Sequence, residues 1–205
     1  MIFEAKYPQT IGRRGFSLIE LLIVAALILI MFVMTFGSRT RSRQQKQLQQ
    51  CNRNLQSIFI ALDIYANEHE GVFPVVTHAQ SSEAALAGLV PRYTSTTSAF
   101  ICPGSGDREL PNGESFAERK ISYAYYMGRR RAEGSEPVMS DEQVDALPKI
   151  KGRPLFSTNG KGPGNNHKNG GGNLLFADGR AEKAPALAPN SLLLTSGVVL
   201  LNPKR

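Results

Sequence analysis

Histidine and cysteine, which supply many catalytic groups and metal ligands in proteins, are scarce in this sequence. Among 205 residues there are three histidines and two cysteines. The sequence also lacks a phosphate-binding loop, a pair of catalytic carboxylates and a nucleophile with a neighbouring base. These absences give no support to an enzyme, and we expect a protein without a cofactor or a metal ion.

Acidic residues are fewer than basic ones, and the net charge is +7 from 24 basic and 17 acidic residues. Such a balance can indicate nucleic acid or anionic lipid as a partner. Two of the basic clusters, Arg13-Arg14 and residues 39–46, flank an apolar segment, where lipid headgroups explain them. We therefore do not expect nucleic acid, although Arg129 to Arg131 form a candidate patch for an extracellular ligand such as DNA or polysaccharide.

The two cysteines, Cys51 and Cys102, allow two interpretations. They form a disulfide if the domain lies in an oxidising compartment, and the bridge then stabilises the fold by roughly 4 kcal/mol. Otherwise they are two buried, unreactive thiols. Export of the domain, for which the N-terminal segment argues, favours the disulfide.

One long apolar run extends from Leu18 to Phe36 and contains a single charge, Glu20. As a helix it would be about 29 Å long, close to the ~30 Å hydrocarbon core of a bilayer. A secretory signal peptide has a shorter apolar core, of about 7–15 residues. A plain membrane anchor gives no reason for a carboxylate at the third position of the run, since charges in spans are costly and usually functional.

The segment from Arg13 to Leu22, RRGFSLIELL, resembles the prepilin motif of type IV pilins and type II secretion pseudopilins. The resemblance implies that a prepilin peptidase cuts after Gly15 and methylates the new N-terminus, Phe16. The apolar helix is then retained as a single-pass anchor in the inner membrane, with the leader in the cytoplasm and the C-terminal domain in the periplasm. The implied function is that of a non-enzymatic filament subunit.

The same resemblance gives Glu20 a role in assembly. In the family, the matching glutamate pairs with the N-terminal amine of a neighbouring subunit, so the implied partners are further copies of this chain and other pilins or pseudopilins. An unpaired carboxylate in lipid is costly, and a cationic partner offsets that cost. The alternative is that Glu20 lies at the interface and reaches the headgroups and water.

A second apolar pattern follows the membrane segment. Its spacings of three and four residues predict one helix face that packs on a core, and Gly71 and Pro74 end the pattern near Glu68; the positions are Leu48, Cys51, Leu55, Ile58, Leu62 and Tyr65. With the resemblance, this predicts a pilin-like α+β fold, in which a long N-terminal helix packs on a small antiparallel sheet. The predicted parts are a leader (1–15), a transmembrane and assembly helix (16–37), a periplasmic amphipathic half of that helix (38–70) and a globular domain (71–205).

Within the globular domain the local patterns predict several elements. They are a short helix at 82–87, strands at 100–103 and 121–127, an exposed excursion at 128–152, a glycine-rich loop at 161–172, a hairpin at 173–182 and a terminal hairpin or strand pair at 192–201. The hairpin turn contains Asp178 and Gly179, and we expect the positive φ of a two-residue turn there.

The stretch from His167 to Asp178-Gly179 resembles a C-terminal His-x(9-10)-Asp-Gly signature of planctomycete-type pseudopilin-like proteins. The structural interpretation is that Asp178 shapes the turn and His167 bonds to a loop. The alternative is a membrane-anchored binding domain or tethered enzyme that uses these two residues, but two ligands are too few for a closed metal site. Calcium candidates are present without EF-hand spacing; they are Asp107, Asp141 and Asp145.

Overall fold

The computed structural model describes residues 17–116 and 119–204, and of residues 35–41 it describes the backbone alone. One long helix is followed by a five-stranded antiparallel sheet, which confirms the predicted α+β class. The elements are α1 (Leu18–Glu68), α2 (Ser82–Leu86), two 3-10 turns (Ala87–Leu89 and Thr97–Phe100), β1 (Tyr123–Met127), β2 (Pro137–Asp141), β3 (Gly172–Phe176), β4 (Ala181–Ala184) and β5 (Val199–Leu201). The chain divides into two compact units between Arg41 and Ser42.

Helix α1 contains 51 residues and ends at Glu68, where the sequence predicted its end. At its start, the carbonyl of Ser17 accepts hydrogen bonds from the N–H groups of Glu20 and Leu21, at 3.0 and 3.1 Å. At its end, the N–H of Gly71 donates to the carbonyl of Ala66 at 2.8 Å, and Gly71 has a φ of 77°. A left-handed glycine after the last turn satisfies helix carbonyls that would otherwise lack a partner.

Within the described part of the chain, no helix combines the length and the apolarity that a membrane crossing requires.

The predicted apolar stripe of α1 is buried in the main core. Five of its six positions are buried, namely Leu48, Cys51, Leu55, Ile58 and Leu62, and Tyr65 packs against them half-exposed. A fully buried leucine or isoleucine stabilises a fold by about 1.5–3 kcal/mol. The stripe is therefore the part of α1 that enters the core of the domain.

The sheet has the strand order β4-β3-β2-β1-β5, and all neighbouring strands are antiparallel. Alternate side chains of β1 belong to two different hydrophobic clusters. Tyr123 and Tyr125 join the core that contains the α1 stripe, whereas Ala124 and Tyr126 pack with Leu200 in a second cluster. Both faces of the sheet are therefore covered, since side chains alternate between the faces of a strand.

The strand predicted at 100–103 is wrong. A 3-10 turn ends at Phe100, and Ile101 to Pro103 lie outside the strands. The carbonyl of Ile101 accepts a hydrogen bond from Asn54 Nδ2 at 2.9 Å, and Pro103 has no N–H to donate. The carbonyl of Ile101 therefore bonds to a side chain of α1 and not to a neighbouring strand.

The exposed excursion predicted at 128–152 is also wrong in its centre, because β2 is the middle strand of the sheet and all five of its residues are buried. Of the candidate patch, Arg129 is fully buried and cannot take part, whereas Arg130 and Arg131 are exposed. The Arg129 guanidinium donates to Glu133 Oε2 at 2.9 Å and to Glu136 Oε2 at 3.0 Å. Arg131 instead pairs with Asp63 at 3.0 Å.

The hairpin predicted at 173–182 is confirmed as the pair β3 and β4, but its turn differs from the prediction. Gly179 has a φ of 88°, while Asp178 keeps a negative φ. The N–H of Phe176 donates to the carbonyl of Arg180 at 2.9 Å, so three residues form the loop. Such loops combine a type I turn with one left-handed residue, and here that residue is the glycine.

The two apolar pieces near the C-terminus do not pair with each other. β5 pairs with β1, and Leu192 forms an isolated bridge with Lys149. The second piece therefore extends the sheet at its β1 edge, and the predicted terminal hairpin is wrong.

We expect Arg129→Ala to lower the free energy of unfolding by about 3 kcal/mol, because it leaves two carboxylates without their buried partner. Both glutamates are partly exposed, which places the loss at the low end for a buried pair. Chemical denaturation of the full chain in detergent measures the loss. Arg130→Ala, at an exposed neighbour, is the control and should change the value by less than about 0.5 kcal/mol. Equal effects of the two substitutions would contradict the buried ion pair.

We expect Gly179→Ala to destabilise the chain by about 2 kcal/mol. Its backbone conformation is strained for alanine, and an added Cβ would lie 2.7 Å from Phe59 Cε1. Gly152→Ala is the matched control, because Gly152 has a φ of 83° and open space around the position. The control should lose only about 1 kcal/mol. A similar loss at both positions in thermal denaturation would show that Phe59 does not restrict the turn.

Candidate functional site

The predicted processing site lies at the start of the chain. Gly15 and Phe16 fall outside the described residues, and the description begins at Ser17. Glu20 lies in the first turn of α1 and is exposed. The N-terminal end of a helix carries a partial positive charge, which favours a carboxylate in the first turn. Glu20 is therefore placed where its side chain can reach a partner outside the helix.

The side chains that follow Glu20 form an apolar surface around the whole helix. Every described side chain from Leu18 to Met34 is exposed, and the exposed fraction is 82% at Leu18 and 73% at Met34. We call this stretch the apolar rod. A helix that is apolar on all sides is normally covered by lipid or by other protein. The rod is therefore a surface for association.

The predicted turn residues serve the hairpin. Asp178 Oδ1 accepts a hydrogen bond from the N–H of Arg180 at 3.0 Å, and Asp178 Oδ2 lies 3.5 Å from the Arg180 guanidinium. Gly179 packs on Phe59. The acidic partner of His167 is Asp141, not Asp178, so the two ends of the predicted signature act in different places.

Four side chains from separate parts of the fold meet in what we call the buried cluster: Cys51, Cys102, Asp141 and His167. Cys51 lies on α1, Cys102 follows the second 3-10 turn, Asp141 ends β2, and His167 lies in the glycine-rich loop before β3. All four are buried, and one potential ligand atom from each lies within 4.8 Å of the others. Cys51 and Cys102 are joined by a disulfide with a Cα–Cα distance of 5.4 Å.

His167 connects the disulfide to the carboxylate. Its Nε2 lies 3.3 Å from Asp141 Oδ2 and 3.5 Å from Cys102 Sγ. Its Nδ1 is buried and has no hydrogen-bond partner among the described residues. The N–H of Gly104 donates to Cys102 Sγ at 3.3 Å. The imidazole and the sulfur are thus held in place by short polar contacts.

Neutral donors surround the buried carboxylate of Asp141. Asn173 donates from its N–H and its Nδ2 to Asp141 Oδ2, at 2.7 and 3.0 Å, and Asn166 Nδ2 donates to Oδ1 at 3.1 Å. Burial raises the pKa of the nearby Tyr123 hydroxyl well above its ordinary value, and the charge of Asp141 raises it further. Both oxygens of the buried carboxylate therefore have hydrogen-bond donors.

The three predicted calcium candidates do not come together. Asp107 lies 3.2 Å from Lys120 Nζ, Asp145 pairs with Lys149, and Asp141 belongs to the buried cluster. The sequence did not predict which residues contact Asp141. Its partners come from chain segments that lie 25 and 32 residues further along the sequence.

A family model described as the prokaryotic N-terminal methylation motif matches residues 12–36. No curated protein and no solved structure matches the chain. The matched residues include Gly15, Phe16 and Glu20, together with the whole apolar rod. The motif supports a type IV pilin-like protein that a prepilin peptidase processes, and the planctomycete-type C-terminal signature stays a prediction.

Proposed function

We propose that this chain is a non-enzymatic structural subunit, a pseudopilin or minor pilin, of a type II secretion or type IV pilus-like filament. The observation that carries the proposal is the apolar rod, which is exposed on all sides and lies within the matched methylation motif. An enzyme with a simple anchor needs apolar residues but not this motif. A filament subunit needs both, since the same helix is held in lipid and then packs on its neighbours.

The inner membrane holds the rod before assembly. The apolar run contains 19 residues, and 13 of them are Leu, Ile, Val or Phe. At about −0.4 kcal/mol for each, they contribute roughly −5 kcal/mol to insertion. Glu20 lies near one end of the run, where a charge costs less than at the centre of the bilayer. The leader then lies in the cytoplasm and the sheet domain in the periplasm.

The Glu20 carboxylate pairs with the N-terminal amine of a neighbouring subunit and so fixes how the two subunits align. Cleavage after Gly15 creates a cationic amine on Phe16, four residues before Glu20 in the sequence. The amine of one subunit offsets the cost of the carboxylate of the next. Two charges that meet in lipid favour one axial register, because any other register leaves both charges unpaired.

Burial in the globular domain supports a structural role over a catalytic one. His167 is only 3% exposed, and its neighbours are the disulfide and Asp141. Asp178 is exposed and bonded to Arg180. A tethered enzyme that uses His167 and Asp178 would need the two side chains to approach one substrate, and their contacts lie elsewhere.

Cleavage is expected between Gly15 and Phe16. Mass spectrometry of the membrane fraction from cells with an active prepilin peptidase should show a chain that begins with N-methylated Phe16. Gly15→Val should block the cut, since a side chain at this position obstructs access to the scissile bond. A mature chain that begins anywhere else would contradict the proposal.

We expect Glu20→Ala and Glu20→Gln to abolish filament assembly while membrane insertion continues, because both remove the charge that pairs with the Phe16 amine. Electron microscopy of sheared filaments reports assembly, and extraction with alkali reports insertion. Gln45→Ala, at an exposed polar position of the same helix, is the control and should assemble normally. Normal filaments from both Glu20 variants would refute the pairing.

A further inference from the structure

We propose that the buried cluster is a zinc site when Cys51 and Cys102 are reduced, and that zinc binding and disulfide formation compete for the same two sulfurs. The proposal is independent of filament assembly, because it concerns the interior of the globular domain. It rests on the ligand set, on the distances between the ligand atoms and on the donors around them.

The ligand set is typical of a structural zinc site. Two cysteine sulfurs, one imidazole nitrogen and one carboxylate oxygen make four ligands, which is the number that closes a tetrahedral site. The two thiolates favour a soft or borderline ion over calcium or magnesium, which prefer oxygen alone. All four residues are buried, so water has no open position on the ion and the site is structural rather than catalytic.

The distances agree with one tetrahedral ion. Zinc lies ~2.0–2.3 Å from nitrogen, oxygen and sulfur ligands, so two ligands of the same ion are separated by roughly 3.3–3.8 Å. His167 Nε2 already lies 3.3 Å from Asp141 Oδ2 and 3.5 Å from Cys102 Sγ. Cys51 Sγ lies with the other three ligand atoms inside 4.8 Å. Reduction breaks its bond to Cys102 Sγ, so that the two sulfurs can separate to the spacing of ligands on one ion.

The surroundings provide outer contacts for two of the four ligands, Cys102 and Asp141. The N–H of Gly104 donates to Cys102 Sγ, and Asn173 and Asn166 hold Asp141 in place. Such contacts orient ligands and stabilise their negative charge. An alanine at Gly104 would place its Cβ 2.2 Å from the carbonyl of Asn166 and 2.9 Å from His167 Nδ1, so the close approach of this loop depends on glycine.

The disulfide form is converted to the zinc form in two steps, reduction and metal binding. A dithiol reductant gives two electrons and two protons to the disulfide and itself becomes a disulfide, which leaves two thiols on Cys51 and Cys102. Binding of Zn²⁺ releases both thiol protons. Three negative ligands and one neutral imidazole then hold the ion, and the site carries a net charge of −1. In the zinc form, neutral His167 would bind the ion through Nε2 and carry its single ring proton on Nδ1.

The test uses the full chain in detergent micelles, stripped of metal with a chelator and prepared in oxidised and reduced forms. Competition with a chromophoric chelator should show one tightly bound Zn²⁺ per reduced chain and none per oxidised chain. Co²⁺ should give the reduced chain the thiolate charge-transfer band and the strong visible bands of a tetrahedral site. Zinc should also raise the Tm of the reduced chain and slow alkylation of its cysteines at least about 10-fold, since a ligand that binds only the folded state stabilises it.

Substitution of His167 separates the zinc site from the disulfide, because the disulfide does not need the histidine. His167→Ala should lower the zinc affinity of the reduced chain at least about 100-fold, more than the usual effect of an outer contact. His78→Asn, at an exposed histidine outside the cluster, should leave the affinity unchanged. If His167→Ala does not fold, the comparison of reduced and oxidised unmodified chain still decides. The proposal is overturned if the reduced chain takes up no stoichiometric zinc, if the oxidised chain binds it equally well, or if His167→Ala retains full affinity.

Discussion

Helix α1 has an exposed apolar surface in its first part and packs on its own domain in its second part. The rest of the structure depends on this difference. The described side chains from Leu18 to Met34 are apolar on every side except at Glu20, whereas from Leu48 onward the apolar residues of α1 keep to one face. A rod that is apolar all round is stable only when something else covers it. The later stripe is covered by the sheet of its own chain. One helix thus has an exposed apolar surface in its first part and an apolar face that packs in the core in its second part.

The long helix and the hairpin could be predicted because their signals are local. Spacings of three and four residues define the stripe of α1, and the Asp178-Gly179 dipeptide defines the turn between β3 and β4. β2 escaped prediction because it is short and lies between charged segments that hide its burial. The charged residues before β2 suggest an exposed segment, but Arg129 is buried and forms ion pairs with Glu133 and Glu136. A cluster of arginines in a sequence does not reveal how many of them reach the surface.

The residues of the N-terminal motif and those of the buried cluster differ in how well the sequence alone can predict them. Gly15 and Glu20 belong to one contiguous motif, so spacing alone identifies them. The cluster joins residues that are 51 and 65 positions apart, and no short pattern links them. The sequence singles out His167, and the nearby Asp178 is the acidic residue with which it shares the predicted signature. In the structure the acidic neighbour of His167 is Asp141. Antiparallel pairing of β2 with β3 brings the end of β2 beside the loop that carries the histidine.

Under the proposed function, in which α1 attaches the subunit to its filament, the buried cluster has a mechanical consequence. A domain that is held to α1 by apolar contacts alone can open locally, because such contacts have no direction and weaken together. Polar side chains fix the position of the sheet along the helix, since Asn173 Nδ2 donates to the carbonyl of Leu48 and Asn52 Nδ2 to that of Ala181, at 3.1 and 3.0 Å. The bond from Cys51 to Cys102 adds a covalent link between α1 and the rest of the domain. A zinc ion at the same place would join α1, β2 and two loops at once. Either link holds this part of α1 to the domain, and in the proposed filament a load on α1 would reach the domain through a covalent or a metal bond.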